Sequence, residues 1–172
     1  MNHSIYLIAA VDDKGGVGKN ERLPWTLKKD LAFFQRTTIK TDNLARENMV
    51  VMGHKTWDSI PADHRPLPGR RNVVLTRQTD LKIPGVYTAT SLPGALQWGQ
   101  DDFVESIFVI GGGRVFEEAI RLKELKGIYL THVKGQFNCD TFFPKIPRGF
   151  KAENLGVGEE NGVRFEFVFY KK

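Results

Sequence analysis

A chain of 172 residues with 41% hydrophobic and 26% charged residues has the length of one domain, residues 1–172, and enough apolar content to bury a core. The lone Cys139 rules out an internal disulfide framework, no apolar run nears the ~18 residues of a helical membrane span, and His3, His54, His64 and His132 lack metal-ligand spacing. The net charge of +5 is scattered along the sequence with no nucleic-acid-reading motif, so it points to a small anionic ligand and not to nucleic acid.

The opening Met1-Asn2-His3-Ser4 has no basic segment followed by an apolar one, so a cytoplasmic location without export is expected. Ile5–Val11 is a continuous apolar run, the pattern of a strand buried on both faces. A glycine- and charge-rich loop follows from Asp12 to Pro24. Thr26 then offers an N-cap to a helix with Leu27, Leu31, Phe34 and Thr38 on one face and Asp30 on that face's border. Further strands are expected at Met49–Met52, Val73–Leu75, Val86–Ala89, Ile107–Ile110 and Ile128–His132. Short helices should begin near Lys55, after Ser91 and after Gly113. Alternating strands and helices predict an α/β fold around a largely parallel sheet. At the end, Phe150–Leu155 and Val163–Tyr170 flank Glu159-Glu160-Asn161-Gly162, a hairpin that would add an antiparallel edge.

Lys14-Gly15-Gly16-Val17-Gly18-Lys19-Asn20 imitates a triphosphate-binding loop but fails chemically. Asn20 stands where a magnesium-binding hydroxyl is required, and Pro24 interrupts the helix that should hold the phosphate. Asp30 is more informative. On a half-apolar helix it is either a boundary carboxylate paired with a lysine, or a desolvated carboxylate of raised pKa able to bind and protonate a nitrogen heterocycle. Two strand–glycine–helix junctions suit phosphate, Met52-Gly53-His54-Lys55-Thr56 and Ile110-Gly111-Gly112-Gly113-Arg114-Val115. Phe116 occupies the last glycine position of a dinucleotide fingerprint, so that motif is absent. A third strand ends Leu75-Thr76-Arg77. Each glycine alone reads as a tight turn; three basic or glycine-lined strand ends together suit an extended, multiply phosphorylated cofactor.

Leu23-Pro24-Trp25 with Asp30-Leu31 and Phe34, Gly53-His54-Lys55-Thr56-Trp57-Asp58-Ser59-Ile60, Pro66-Leu67-Pro68-Gly69-Arg70, Val109-Ile110-Gly111-Gly112-Gly113 and Tyr129-Leu130-Thr131-His132 follow one another in an order and spacing that resembles dihydrofolate reductase, of the bacterial chromosomal kind, across essentially the whole chain. The resemblance implies a central, mostly parallel sheet with an antiparallel C-terminal edge strand and helices on both faces. It implies NADPH as cofactor, dihydrofolate as substrate, antifolates as inhibitors, and a monomer that binds neither metal, nucleic acid nor membrane. Asp30 would hold the pterin, supported through a water by Thr131, with Trp25 beside the reacting ring. Ile8, Leu31, Phe34, Ile60, Leu67 and Ile110 would line the substrate pocket, and Arg70 would hold the glutamate carboxylate. Ala10 and Val17 would surround the nicotinamide. Gly53, His54, Lys55, Thr56, Gly111, Gly112, Gly113, Arg114, Val115 and Phe116 would line the rest of the cofactor site, the Gly111–Gly112 bond being cis. Leu75 and Thr76 would also belong to the cofactor site, with Arg77 on the adenosine 2′-phosphate.

Three features depart from the family pattern. Phe116 stands where many bacterial members carry tyrosine, the Asp12–Leu23 loop is long and carries Glu21-Arg22, and Lys40–Glu47 is long and charged. A pyrimidine-pathway reductase of the same fold, or a non-catalytic pteridine- or nucleotide-binding module, would be the competing readings. The helix bearing Asp30 and the run ending at Arg70 argue against the first.

Overall fold

The computed structural model describes residues 3–172; Met1 and Asn2, the start of the segment read for export, lie outside the described residues. In chain order the elements are β1 (Ser4–Val11), β2 (Gly16–Gly18), α1 (Lys28–Ile39), β3 (Glu47–Gly53), α2 (His54–Ser59), β4 (Arg70–Leu75), β5 (Tyr87–Ala89), α3 (Leu92–Gln97), β6 (Val104–Gly111), α4 (Gly113–Ala119), β7 (Leu125–Val133), β8 (Thr141–Phe142), β9 (Lys151–Glu160) and β10 (Val163–Lys171). Eight strands form one sheet in the order β5-β4-β3-β6-β1-β7-β10-β9, while β2 and β8 pair separately. The pairs from β5 to β7 are parallel, and β10 runs antiparallel to both β7 and β9. The mostly parallel sheet with an antiparallel C-terminal hairpin is therefore as expected.

Period-two alternation assigns each strand's side chains to opposite faces. Met49, Val51, Ile107 and Val109 pack with Leu92 and Ala95 of α3 and Phe116 and Ala119 of α4. The intervening Val50, Met52 and Phe108 pack with Phe33 of α1 and Trp57 of α2. Helices thus cover both faces, which is why the central strands read as unbroken apolar runs. The loop segment 14–20 leads into β2 and a turn instead of a helix, so the triphosphate-loop imitation has no structural counterpart. The scattered charge is also reorganised. Lys123, Lys126, Lys171 and Lys172, with Arg121 and Arg148, gather around two adjoining grooves at the amino edge of the sheet.

Helix α1 differs from its sequence reading in two ways. Its buried side is formed by Leu27, Asp30, Phe33 and Thr38, whereas Leu31 is 49% exposed. Phe33 stacks on Phe167 of β10 at 4.2 Å, and this contact rotates Leu31 away from the sheet. Thr26 is no cap: the N-cap position is Leu27, whose side chain cannot accept a hydrogen bond. The first amides instead donate to the Glu160 carboxylate, from Lys28 at 2.5 Å and Lys29 at 3.3 Å. Glu160 can reach them because β9 ends there, in a two-residue turn with Asn161 and Gly162 both at positive φ. An N-terminal carboxylate also faces the positive end of the helix. Glu160→Ala should cost about 1 kcal/mol, read as a Tm lower by roughly 2–4 °C for a chain of this size. An unchanged melt would show that the clamp carries no weight.

Candidate active site

The site builds outward from the carboxyl edge of the sheet. Ala10 on β1 lies in register with Thr131 on β7, and α1 crosses above them. This brings the Thr131 hydroxyl to Asp30, where it donates to Oδ1 at 2.6 Å. Both residues are buried, Asp30 at 8% exposure. The contact between the two side chains is direct. Burial pushes the Asp30 carboxyl above its ordinary range, and the Thr131 hydrogen bond only partly opposes this. No ion pair among the described residues includes Asp30, so it is not a lysine-paired boundary carboxylate. Trp25 is buried nearby with its ring edge against Phe137 at 5.1 Å, and its indole nitrogen is enclosed without a protein partner.

Ile8, Phe34, Ile60, Leu67 and Ile110, widely separated in sequence, belong to one apolar cluster. Leu31 stands half-exposed one residue beyond Asp30. Arg70 is buried, not superficial. Its Nε donates to Pro68 O at 3.0 Å and Nη1 to Thr38 Oγ1 at 2.8 Å, with the guanidinium 5.9 Å from the Phe34 ring centre. Burial lowers its pKa to about 10, so it stays charged at neutral pH, and no carboxylate pairs with it among the described residues. An unpaired buried guanidinium with free donors is suited to an incoming carboxylate.

On the other side of β1 from β7, Gly53 ends β3 in register with Leu75 of β4, while its neighbour Met52 pairs with Gly111 of β6. The two glycine junctions therefore abut. A Cβ on Gly112 would lie 3.3 Å from Thr56 Oγ1, and one on Gly113 would lie 2.8 Å from Thr141 Cγ2. The Gly111–Gly112 peptide is cis. Neither α2 nor α4 has a side-chain cap, so the amides beginning at His54 and Gly113 remain available to an anion. Val115 packs over Gly53. Phe116 is buried beneath Gly111 against Phe143, supporting the turn. Thr76 is held by a hydrogen bond from its N–H to Ala89 O at 2.9 Å, and Arg77 projects, exposed and without an acidic partner among the described residues. His54 faces Asp58 at 3.5 Å, and Val17 lies partly buried on β2. Uncapped amides, Lys55, Arg77 and the closely apposed glycines fit a phosphate-bearing cofactor along this wall.

Three supporting residues escaped the sequence reading. Asn72 is buried and its amide bonds Leu67 N, Leu67 O and Arg70 O, fixing the segment that carries Leu67 and Arg70. Asn48 bonds Thr38 O and Lys40 O while accepting from Ser106 N, which anchors the end of α1 to the sheet. A lone Asn inside an apolar strand is the signal that marks both. Asp12 holds the root of the long loop by accepting from Lys14 N, Gly16 N and Phe137 N at 2.9, 2.8 and 3.2 Å, with Cys139 Sγ at 3.6 Å. Burial acts to raise its pKa, but these donors outweigh it and hold the carboxyl below its ordinary value.

The fold and this edge define a doubly wound α/β protein with a desolvated carboxylate facing a glycine-lined anion wall. The sequence model of the family described as dihydrofolate reductase matches residues 4–172. Dihydrofolate reductase of Drosophila melanogaster is 39% identical, with 96% of each chain covered. The bifunctional dihydrofolate reductase-thymidylate synthase of Glycine max is 36% identical over 99% of this chain and 34% of its own length. Schistosoma mansoni dihydrofolate reductase superposes with a TM-score of 0.88 at 33% identity, covering 99% of both chains. The chain belongs to the dihydrofolate reductase family.

Proposed function

We propose that this protein reduces dihydrofolate to tetrahydrofolate with NADPH, as a monomeric, cytoplasmic enzyme formed by one domain. The observation that carries this reading is Asp30, a buried carboxylate without a cationic partner among the described residues, bonded to Thr131 and carried by the helix whose Phe33 and Phe34 join an apolar cluster. Its oxygens bind the pterin's ring nitrogen and amino group, and its raised pKa keeps a proton within reach of the protonation at N5. Ile8, Leu31, Phe34, Ile60, Leu67 and Ile110 exclude water and orient the ring, while Arg70 holds the glutamate tail. Ala10, Val17 and Trp25 enclose the place where the two rings meet. The nicotinamide, when bound, supplies the hydride that reaches C6.

Mixing protein, NADPH and dihydrofolate should bleach the reduced-nicotinamide absorbance, and antifolates competing with dihydrofolate should stop it. A folded protein that oxidises no NADPH would return the chain to a binding role. Cofactor choice has its own test. Arg77→Ala should raise the Kd for NADPH roughly tenfold or more, the scale of a lost charge-assisted contact, and leave NADH nearly unaffected. Equal losses for both would remove Arg77 from the 2′-phosphate.

A further inference from the structure

We propose that Glu21 sets how tightly this protein holds its cofactor, by competing with the cofactor's phosphate for Lys55. The inference rests on the cofactor reading above. Lys19 and Arg22 exchange both backbone hydrogen bonds, at 2.9 and 3.0 Å, which closes a two-residue hairpin around Asn20 and Glu21. Both central residues have positive φ, 50° and 61°. That turn favours Asn followed by Gly, because a side chain at the second position is strained. The same chain follows this preference at Asn161-Gly162, where φ is 51° and 76°. At the loop tip a glutamate occupies the glycine position, and its carboxylate bonds the Lys55 ammonium. The hairpin is aimed there by its base: Asn20 N–H donates to Asp140 Oδ2 at 2.7 Å, and β2 pairs with β8.

Lys55 belongs to the first turn of α2, beside the glycine junctions, so the loop tip places a negative charge on the cation that a phosphate needs. Both partners are largely exposed, at 81% and 61% of their side-chain surfaces. Such a pair is weak and screened by salt. A weak pair can yield to a phosphate on binding and recapture the lysine as the phosphate leaves, which lowers affinity for NADPH and for its oxidised product alike.

The test measures Kd for NADPH and NADP+ by tryptophan quenching in Glu21→Gln, Lys55→Met and the double variant. Glu21→Gln should tighten both roughly two- to fivefold at low salt, with the gain shrinking as salt rises. In the Lys55→Met background the same change should do nothing. Glu21→Gly, which also relaxes the turn, should tighten binding by the same factor as the glutamine. A gain with glycine alone means that the backbone is acting, and overturns the charge competition; so does a gain from Glu21→Gln that persists without Lys55. Weakened binding by Lys55→Met beside unchanged binding by Glu21→Gln overturns this proposal alone. Normal binding by Lys55→Met overturns the cofactor reading with it.

Discussion

Asp30→Asn is expected to lose at least ~100-fold in kcat at neutral pH, the scale of a missing acid–base group, while remaining folded. Asparagine keeps the size and can still accept the Thr131 hydrogen bond, but it neither carries the charge nor delivers a proton. The stability side has a definite sign. Burial raises the folded-state pKa of Asp30, so the folded state binds its proton more tightly than the unfolded chain. The contribution of Asp30 to stability is therefore best at low pH and is lost as pH rises through the folded value. The variant should be as stable as the parent or more so at pH 7, and the gain should vanish below about pH 4, where both states are protonated. The kcat deficit should shrink as pH falls, because solution acid then supplies protonated substrate. NADPH affinity should hold, since Asp30 meets β7 whereas the glycine junctions end β3 and β6, with β1 between them. Near-normal turnover at pH 7 by a folded variant would overturn the mechanism. A variant that unfolds would make Asp30 a structural group.

Arg70→Leu is expected to raise the KM for dihydrofolate roughly 30-fold or more, in keeping with the loss of one partner of a buried charge pair. A pteridine without the glutamate tail should be almost unaffected. The variant should fold, because the Thr38 hydroxyl keeps Phe34 O as its acceptor at 2.8 Å and leucine suits the apolar surroundings. Arg70→Lys should fall between, having the charge but not the planar fork. Equal damage to both substrates would show that Arg70 acts on the fold or on the cofactor wall.

The central strands were legible because burial on both faces leaves unbroken runs such as Met49–Met52, and the hairpin because Asn161-Gly162 demands a particular turn. Ser91 was legible as a helix start, and its hydroxyl accepts from Gly94 N at 3.2 Å. The orientation of α1 was not. Leu27, Leu31 and Phe34 make a valid stripe, and so do Leu27, Asp30 and Phe33; only Phe167, far along the chain, selects the second. Thr26 failed as a cap for a related reason, since Glu160 supplies the acceptor from elsewhere. The short β2 and β8 carry too few residues for a period to register. At the site, Asp30 stood out by its type and its place on a half-apolar helix and Arg70 only through the family resemblance, whereas the Asn48, Asn72 and Asp12 supports depend on partners that only tertiary packing brings near.

The clamp of Glu160 on α1 also orders the birth of the enzyme. Glu160 lies 132 positions after Lys28, the amide it holds, and Phe167, against which Phe33 is stacked, is later still. A ribosome therefore releases every strand from β1 to β7 before the helix bearing Asp30 can be seated. A nascent chain stalled short of β9 can display most of the sheet and the glycine wall, yet its helix α1 lacks the Glu160 clamp and the Phe167 stack, and Asp30 has only the Thr131 bond and the Asn48 anchor to place it. Cofactor capture should precede pterin capture during synthesis, and reductase activity should arrive last, with the closing hairpin.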